Sequence, residues 1–314
     1  MGVLAIVGST DFPYKHSLYE QVLINFASQA HMYGWDVIRT SHFRYDILQK
    51  NFSHLWRRDG HSYVLTDTQP THIYFLFNIF NYQLIDIISH YASSTNLMLC
   101  SIAKDKYATY KLFSDYSPFT VRLSSVQKDL SMMELFSSSH VVLKPIYGAQ
   151  GHGVSLKEKN DIGGFIKDMS LYSYNDWIVQ DFIDFSGGIP GIVDGIHDVR
   201  LVVFGKKVIY VLVRVPYGSD FRCNISQNGS YFFIDFADLP MCMQKDAKNI
   251  IDRLYDFIGG VSCTYSVDIA LGIDGKTYLI EFNSAIGLQH LLAESSYVYA
   301  ERYLQGIFSL FLDS

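Results

Sequence analysis

Asp274-Gly275 sits between two apolar runs, Ile269-Ala270-Leu271 and Tyr278-Leu279-Ile280. That dipeptide in that setting predicts a β-hairpin with a two-residue turn. With Ile273 paired to Lys276, counting outward pair by pair sets Asp268 directly across from Glu281, and Asn283 shares their face. Like charges opposed on a sheet cost about 0.2 to 1 kcal/mol, so the arrangement calls for a cation between them. Two carboxylates and an amide oxygen are hard ligands of the kind Mg²⁺ takes. A solvent-facing acidic pair is the alternative, and the apolar residues on both sides favour burial.

A second hairpin is expected around Gly205-Lys206-Lys207. As a three-residue loop it sets Asp198 across from Arg214, with Arg200 on the same side, whereas a two-residue turn would send Arg214 to the opposite face. Arg222, within Asp220-Phe221-Arg222-Cys223-Asn224, adds a third guanidinium. Three such groups can receive phosphate or carboxylate in bidentate fashion; surface salt bridges are the competing explanation. Upstream, Val141-Val142-Leu143-Lys144-Pro145 runs into Tyr147-Gly148-Ala149-Gln150-Gly151-His152-Gly153-Val154. A lysine ending a strand beside a glycine-rich loop puts a fixed cation next to backbone amides that can close over phosphate oxygens, and side chains larger than glycine would block that approach. An ordinary glycine turn with a solvated lysine competes with this reading on equal terms.

Other nucleotide motifs are missing: there is no G-x-x-x-x-G-K-[ST], and no G-x-G-x-x-G follows the first apolar run. The net charge of −6 argues against nucleic acid or an anionic membrane as partner, so any anion must be met by a local cation cluster. Cys100, Cys223, Cys242 and Cys263 show neither metal nor disulfide spacing and read as reduced, mostly buried thiols. The stretch from Ile73 to Ile88 is broken by Asn78, Asn81, Gln83 and Asp86, which is wrong for a lipid span, and a cytoplasmic protein is expected.

The 314 residues suffice for about two domains. Residues 1–100 read as a Rossmann-like α/β domain, with strands at Val3–Val7, Asp36–Arg39, Ile73–Phe77 and Leu97–Cys100 and a helix through Leu18, Val22, Phe26, Ala30 and Tyr33. A short helix at Lys104–Asp115 follows, then hairpins, a glycine-rich insertion from Phe185 to Ile196, and helices at Lys245–Phe257 and Tyr297–Leu312.

Taken in order, Lys106, Lys144 before the glycine loop, Val179-Gln180-Asp181-Phe182-Ile183, Asp198-Val199-Arg200, Phe221-Arg222-Cys223-Asn224, Val267-Asp268-Ile269 and Glu281-Phe282-Asn283-Ser284 resemble the motifs of ATP-grasp enzymes. The spacing looks most like the branch of the ribosomal protein S6 glutamate ligase and bacterial glutathione synthetase, over roughly residues 97–290. The resemblance implies an α/β fold: a Rossmann-like N-terminal domain (1–100) before a two-lobed α+β ATP-grasp domain, its small lobe at 101–183 and its C-terminal lobe at 184–314. It implies that Lys106, Lys144, Gly148, Gly151 and Gly153 meet ATP phosphates. Gln180, Asp181, Phe182 and Ile183 would line the adenine site, with Asp198 beside the nucleotide and Asn224 reaching, with Arg222, the transferring phosphoryl and metal region of the bound ATP. Asp268, Glu281 and Asn283 would ligate Mg²⁺, or Mn²⁺ in its place. Arg200, Arg214 and Arg222 would steady the substrate carboxylate, the acyl phosphate and the transferring phosphoryl group.

The chain also departs from the pattern. Ile286 stands where the family often has proline, and the 185–196 insertion is long and a candidate border of the acceptor site. The implied activity is an ADP-forming carboxylate–amine ligase acting on small-molecule or peptide substrates, with homo-oligomerisation left open. An ATP-grasp kinase and a non-catalytic ATP-binding module are the alternatives.

Overall fold

Val199, Leu201 and Val203 project to one side of a strand while Asp198, Arg200 and Val202 project to the other, and the rest of the molecule is layered on those two faces. The protein is described by a computed structural model covering residues 2–8, 24, 27–28, 30–32, 34–59, 62–75, 87–89, 91–148, 151–168, 176–218, 221–223, 229–284, 286, 289–291 and 296–312.

The first sheet contains β1 (Gly2–Gly8), β2 (Trp35–Ser41), β3 (Leu55–Asp59), β4 (Ser62–Thr66), β5 (His72–Phe75) and β6 (Ala92–Ser93), in the order β4-β3-β2-β1-β5-β6. β1 runs parallel to β2 and β5, as an α/β domain requires, and β3–β4 adds an antiparallel edge. The expected helix before β2 falls mostly outside the described residues; Ala30, which is described, is helical and buried.

Leu97–Cys100 is not a strand. It opens α1 (Leu97–Lys104), because the Asn96 side chain accepts from the amides of Met98 and Leu99 at 2.8 and 3.2 Å and caps a helix. Asp105 caps α2 (Lys106–Leu112) in the same way.

The second sheet has the order β9-β8-β10-β7, from β7 (Thr120–Arg122), β8 (His140–Pro145), β9 (Ser155–Glu158) and β10 (Trp177–Asp181). The third comprises β11 (Asp198–Phe204), β12 (Lys207–Val215), β13 (Ser230–Ile234), β14 (Thr264–Leu271) and β15 (Thr277–Asn283), in the order β13-β12-β11-β14-β15. One face of this sheet is apolar throughout and packs under α3 (Met241–Phe257), whose Met243, Ala247, Ile250, Ile251 and Leu254 recur at helical spacing. Leu99 and Ile102 of α1 and Phe113 join the same core.

The opposite face is divided. At one end Val202, Phe204 and Tyr210 pack against α4 (Tyr297–Leu312) and against Leu4, Ile6 and Tyr74 of the first sheet. The other end carries Asp198, Arg200, Arg214, Asp268, Glu281 and Asn283.

Both hairpins depart from expectation by one residue, and a bulge restores the register in each. Ile273, Asp274 and Gly275 form a three-residue loop closed by Gly272 and Lys276, with Gly275 at φ 78°, the left-handed position such loops need. Pairs from Leu271↔Thr277 to Ile269↔Leu279 are therefore offset, until Ile280 is skipped and Asp268 meets Glu281. At the other hairpin the turn is the two-residue Gly205-Lys206, and Ile209 is the skipped residue that returns Arg214 to Asp198.

Candidate active site

The charged end of the third sheet faces the second sheet across a cavity open to solvent. Lys144, Gln180 and Asp181 reach it from the second sheet, followed by Phe182 and Ile183; Lys106 comes from the start of α2, and Gly148 and Gly151 from the glycine loop. Asp198, Arg214, Asp268, Glu281 and Arg222 form the facing wall.

On the upper wall Lys144 Nζ donates to Gln180 Oε1 at 2.6 Å. Burial holds its ammonium down at about 8, opposed by attraction to Glu281 and assisted by repulsion from Lys106. Lys106 Nζ donates to the Gly148 carbonyl at 2.7 Å, and burial lowers this lysine too, against the pull of Glu281 and Asp105. Arg222 Nη1 donates to the Gly151 carbonyl at 3.4 Å. Two cations are thus tied to carbonyls of the loop that the sequence had set beside phosphate.

On the lower wall the side chains form a ladder of alternating charge. Arg214 is bidentate to Asp198 at 2.5 and 2.8 Å and donates again to Asp268 Oδ2 at 2.8 Å. Arg200 is bidentate to Asp268 at 2.7 and 2.6 Å and stands 3.9 Å from Glu281. Asp268 is fully buried, and its two guanidiniums hold it below the usual carboxylate range in spite of that burial. Burial pushes Asp198 up, against the single bidentate partner it has in Arg214. The positive charge that two opposed carboxylates demand is therefore already present as arginine. Behind the ladder, burial and the two arginines hold His290 down at about 3, a neutral ring bonded to Tyr210.

The metal ligands implied by the resemblance meet a mixed set of contacts. Asn283 turns its amide nitrogen, not its oxygen, to Glu281 at 3.2 Å and Asp268 at 3.5 Å. Among the described residues no three His, Cys, Asp or Glu side chains converge on one point. A Mg²⁺ that completes its shell with nucleotide phosphates needs only one or two carboxylates. Glu281, with 23% of its side chain exposed at the cavity, meets that need, whereas Asp268 beside it already gives both oxygens to Arg200 and Arg214. The donor set fits a nucleotide-bound Mg²⁺, provided the Asn283 amide turns over.

Other expected residues fall differently. Gly153, at φ 73°, does not line the cavity: a Cβ there would lie 2.8 Å from Pro145 Cγ, so its lack of a side chain serves packing. Asn224 lies outside the described residues. The Asp181 carboxylate accepts from Ser137 and Ser138 and ties down the turn before β8, leaving only its backbone for a ligand. The insertion contributes Phe185 and Ile196 to the cavity beside Phe182 and Ile183, which sets it at that end of the cavity. Thr120, the strand partner of Gln180, is a residue that the sequence reading did not single out. All four cysteines are free, with Cys242 alone exposed. Among the described residues no helix is long and apolar enough to cross a membrane.

Residues 106–250 match the family described as prokaryotic glutathione synthetase, ATP-grasp domain. A solved RimK domain protein, ATP-grasp, from Sphaerobacter thermophilus superposes with a TM-score of 0.60 over 97% of this chain and 98% of that one, at 14% identity. This protein has the ATP-grasp fold. A probable alpha-L-glutamate ligase of Parasynechococcus marenigrum is 30% identical over 131 residues, 41% of this chain and 26% of that protein. Its counterpart in Halorhodospira halophila is 29% identical over 192 residues, 60% of this chain and 58% of that protein. The chain thus spans under two thirds of the length of either curated relative. Within the ATP-grasp match lie Lys106, Lys144, the glycine loop, Gln180 to Ile183 and the three arginines, while Asp268, Glu281 and Asn283 lie beyond it.

Proposed function

We propose that the protein is an ATP-dependent, ADP-forming carboxylate–amine ligase. The observation that carries this reading is the facing of two unlike walls across one cavity: Lys106, Lys144 and the glycine loop on one side, Asp268 and Glu281 on the other. ATP phosphates bind between them, released loop carbonyls giving way to phosphate oxygens at Lys106 and Arg222. The adenine takes the backbone of Asp181, Phe182 and Ile183, where the Ile183 amide has no partner among the described residues. Glu281 would hold Mg²⁺, joined by Asn283 once its amide turns over and by Asp268 where an arginine yields an oxygen, and the bound ion would neutralise charge on the phosphates.

A substrate carboxylate oxygen attacks the γ-phosphorus, the bond from that phosphorus to the bridging oxygen breaks, and ADP leaves an acyl phosphate behind. The amine nitrogen then attacks the acyl carbon, phosphate departs, and the nitrogen loses a proton as the amide forms. Positioning and charge neutralisation carry both steps, so no nucleophilic side chain is required. Arg214, held between two aspartates, is a fixed charge in the cavity wall; Arg200, which does not itself line the cavity, keeps its Nη1 without a partner among the described residues and is a donor in reserve for an incoming carboxylate or the developing oxyanion.

The test is a trap. With ATP, Mg²⁺ and a panel of acids, hydroxylamine added in place of the amine gives a hydroxamate, and Glu281→Gln abolishes it. The names of the relatives make glutamate the first compound to try as either partner. ADP release with a stable phosphorylated hydroxyl product instead of amide or hydroxamate identifies a kinase and overturns the proposal, as does nucleotide binding without ADP release across the whole panel.

A further inference from the structure

Thr120, Gln180 and Lys144 lie on β7, β10 and β8, three adjacent strands of the second sheet. Thr120 pairs directly with Gln180, and Gln180 with Val142, so Lys144, two residues along, is a diagonal neighbour of Gln180 on the same face. The three side chains form a directed chain of hydrogen bonds. Thr120 Oγ1 gives its one proton to the Pro118 carbonyl at 2.8 Å, so its oxygen can only accept from Gln180, and it takes Nε2 at 2.9 Å. That fixes which end of the amide points each way, and Oε1 is turned to Lys144 Nζ at 2.6 Å. Thr120 is 2% exposed, which keeps water from substituting for its oxygen. Without that oxygen the amide is free to rotate and set its NH₂ against the ammonium, donor facing donor.

We propose that Thr120 is a positioning residue for Lys144, acting through the Gln180 amide. The proposal rests on the reading of Lys144 as a phosphate contact. Thr120 itself does not line the cavity. The charged groups facing Lys144 are Lys106 from α2 and Glu281 from β15, and neither is hydrogen-bonded to its Nζ, so among the described residues orientation falls to Gln180.

Calorimetry of ATP binding to the full chain tests the chain of bonds. Thr120→Val, close in shape, weakens ATP roughly threefold to tenfold, the effect of misdirecting one charge-assisted hydrogen bond. Thr120→Ser, which keeps the oxygen, restores wild-type affinity. In a Gln180→Glu background, where both ends of the side chain accept, Thr120→Val no longer changes affinity. A purely structural threonine would lower the melting temperature in both backgrounds and leave affinity alone in both. Wild-type affinity in a folded Thr120→Val, with Lys144→Ala weakened, overturns the proposal. Should Thr120→Val not fold, Gln180→Met replaces it, and wild-type affinity there overturns it equally. If Lys144→Ala itself leaves ATP affinity unchanged, the phosphate reading has failed instead, and the two failures are distinct.

Discussion

Raising the pH should release ATP through Lys144 before it affects anything else in the phosphate site. Burial holds the ammonium at about 8 in the free protein, well below an ordinary lysine. Bound phosphate favours the charged form, so binding raises that value. The sign follows: affinity is full below about pH 8, falls as pH rises past it, and levels off only above the raised value of the complex. With one proton linked, the charged fraction drops from about nine-tenths at pH 7 to about one-tenth at pH 9, a loss of roughly tenfold or about 1.4 kcal/mol. The phosphate itself is ionised over that window, since its second pKa lies near about 6.

Isothermal titration with ATP and Mg²⁺ between pH 7 and 9.5, in two buffers of different ionisation enthalpy, measures both the affinity and the protons taken up. Proton uptake should peak between the free and bound values. Lys144→Arg keeps its charge throughout and should flatten the profile. Lys106 is also lowered by burial, so a residual slope in Lys144→Arg is assigned to it. A wild-type profile that is flat to pH 9.5, or a Lys144→Arg profile as steep as wild type, refutes the reasoning.

Two stability predictions follow from the packing. Arg214→Met strips the common partner from partly buried Asp198 and fully buried Asp268 and should cost about 3 to 5 kcal/mol in urea unfolding, with Asp198→Asn in the same chain recovering part of it; a loss under about 1 kcal/mol would show that the ladder is not held by this arginine. Gly306→Ala would set a Cβ 2.1 Å from the Phe204 ring where α4 crosses the third sheet, and the thermal midpoint should fall in spite of the better helix propensity, by about 1 to 3 kcal/mol of stability. An unchanged midpoint would mean that the helix shifts freely on the sheet.

The class of fold and the opposed carboxylates were legible in the sequence because they depend on alternation, which burial enforces strongly. What was not legible depends on directional detail. Leu97–Cys100 has the apolar run of a strand, and only the Asn96 side chain reaching the next two amides turns it into a helix. Gly148, Gly151 and Gly153 read alike in the sequence, yet Gly148 and Gly151 line the cavity while a Cβ at Gly153 would meet Pro145. The arginine contacts could not be counted either: register sets Arg200 opposite Asp268, but that both oxygens of Asp268 are already taken is a matter of side-chain geometry.

The two hairpins make the stronger point about what governs a register. Each turn differs from the expected one by a residue, and by turn geometry alone Glu281 and Arg214 should have been thrown to the apolar face. That outcome would have buried Glu281 beneath α3 and exposed Phe282, which is 2% accessible in the core. Burying an unpaired carboxylate costs far more than a bulge, so the strand gives up one pair and keeps the faces. The signal was present in the spacing: Leu279 and Phe282 both face the core although they are three apart, and so do Val208 and Val211. A strict strand puts residues three apart on opposite faces. Two core positions at that distance imply one skipped residue between them, and Ile280 and Ile209 are the residues skipped. The bulges thus fall within the strands that carry Glu281 and Arg214, and it is the apolar face beneath α3, more than either turn, that keeps these two side chains turned toward the cavity.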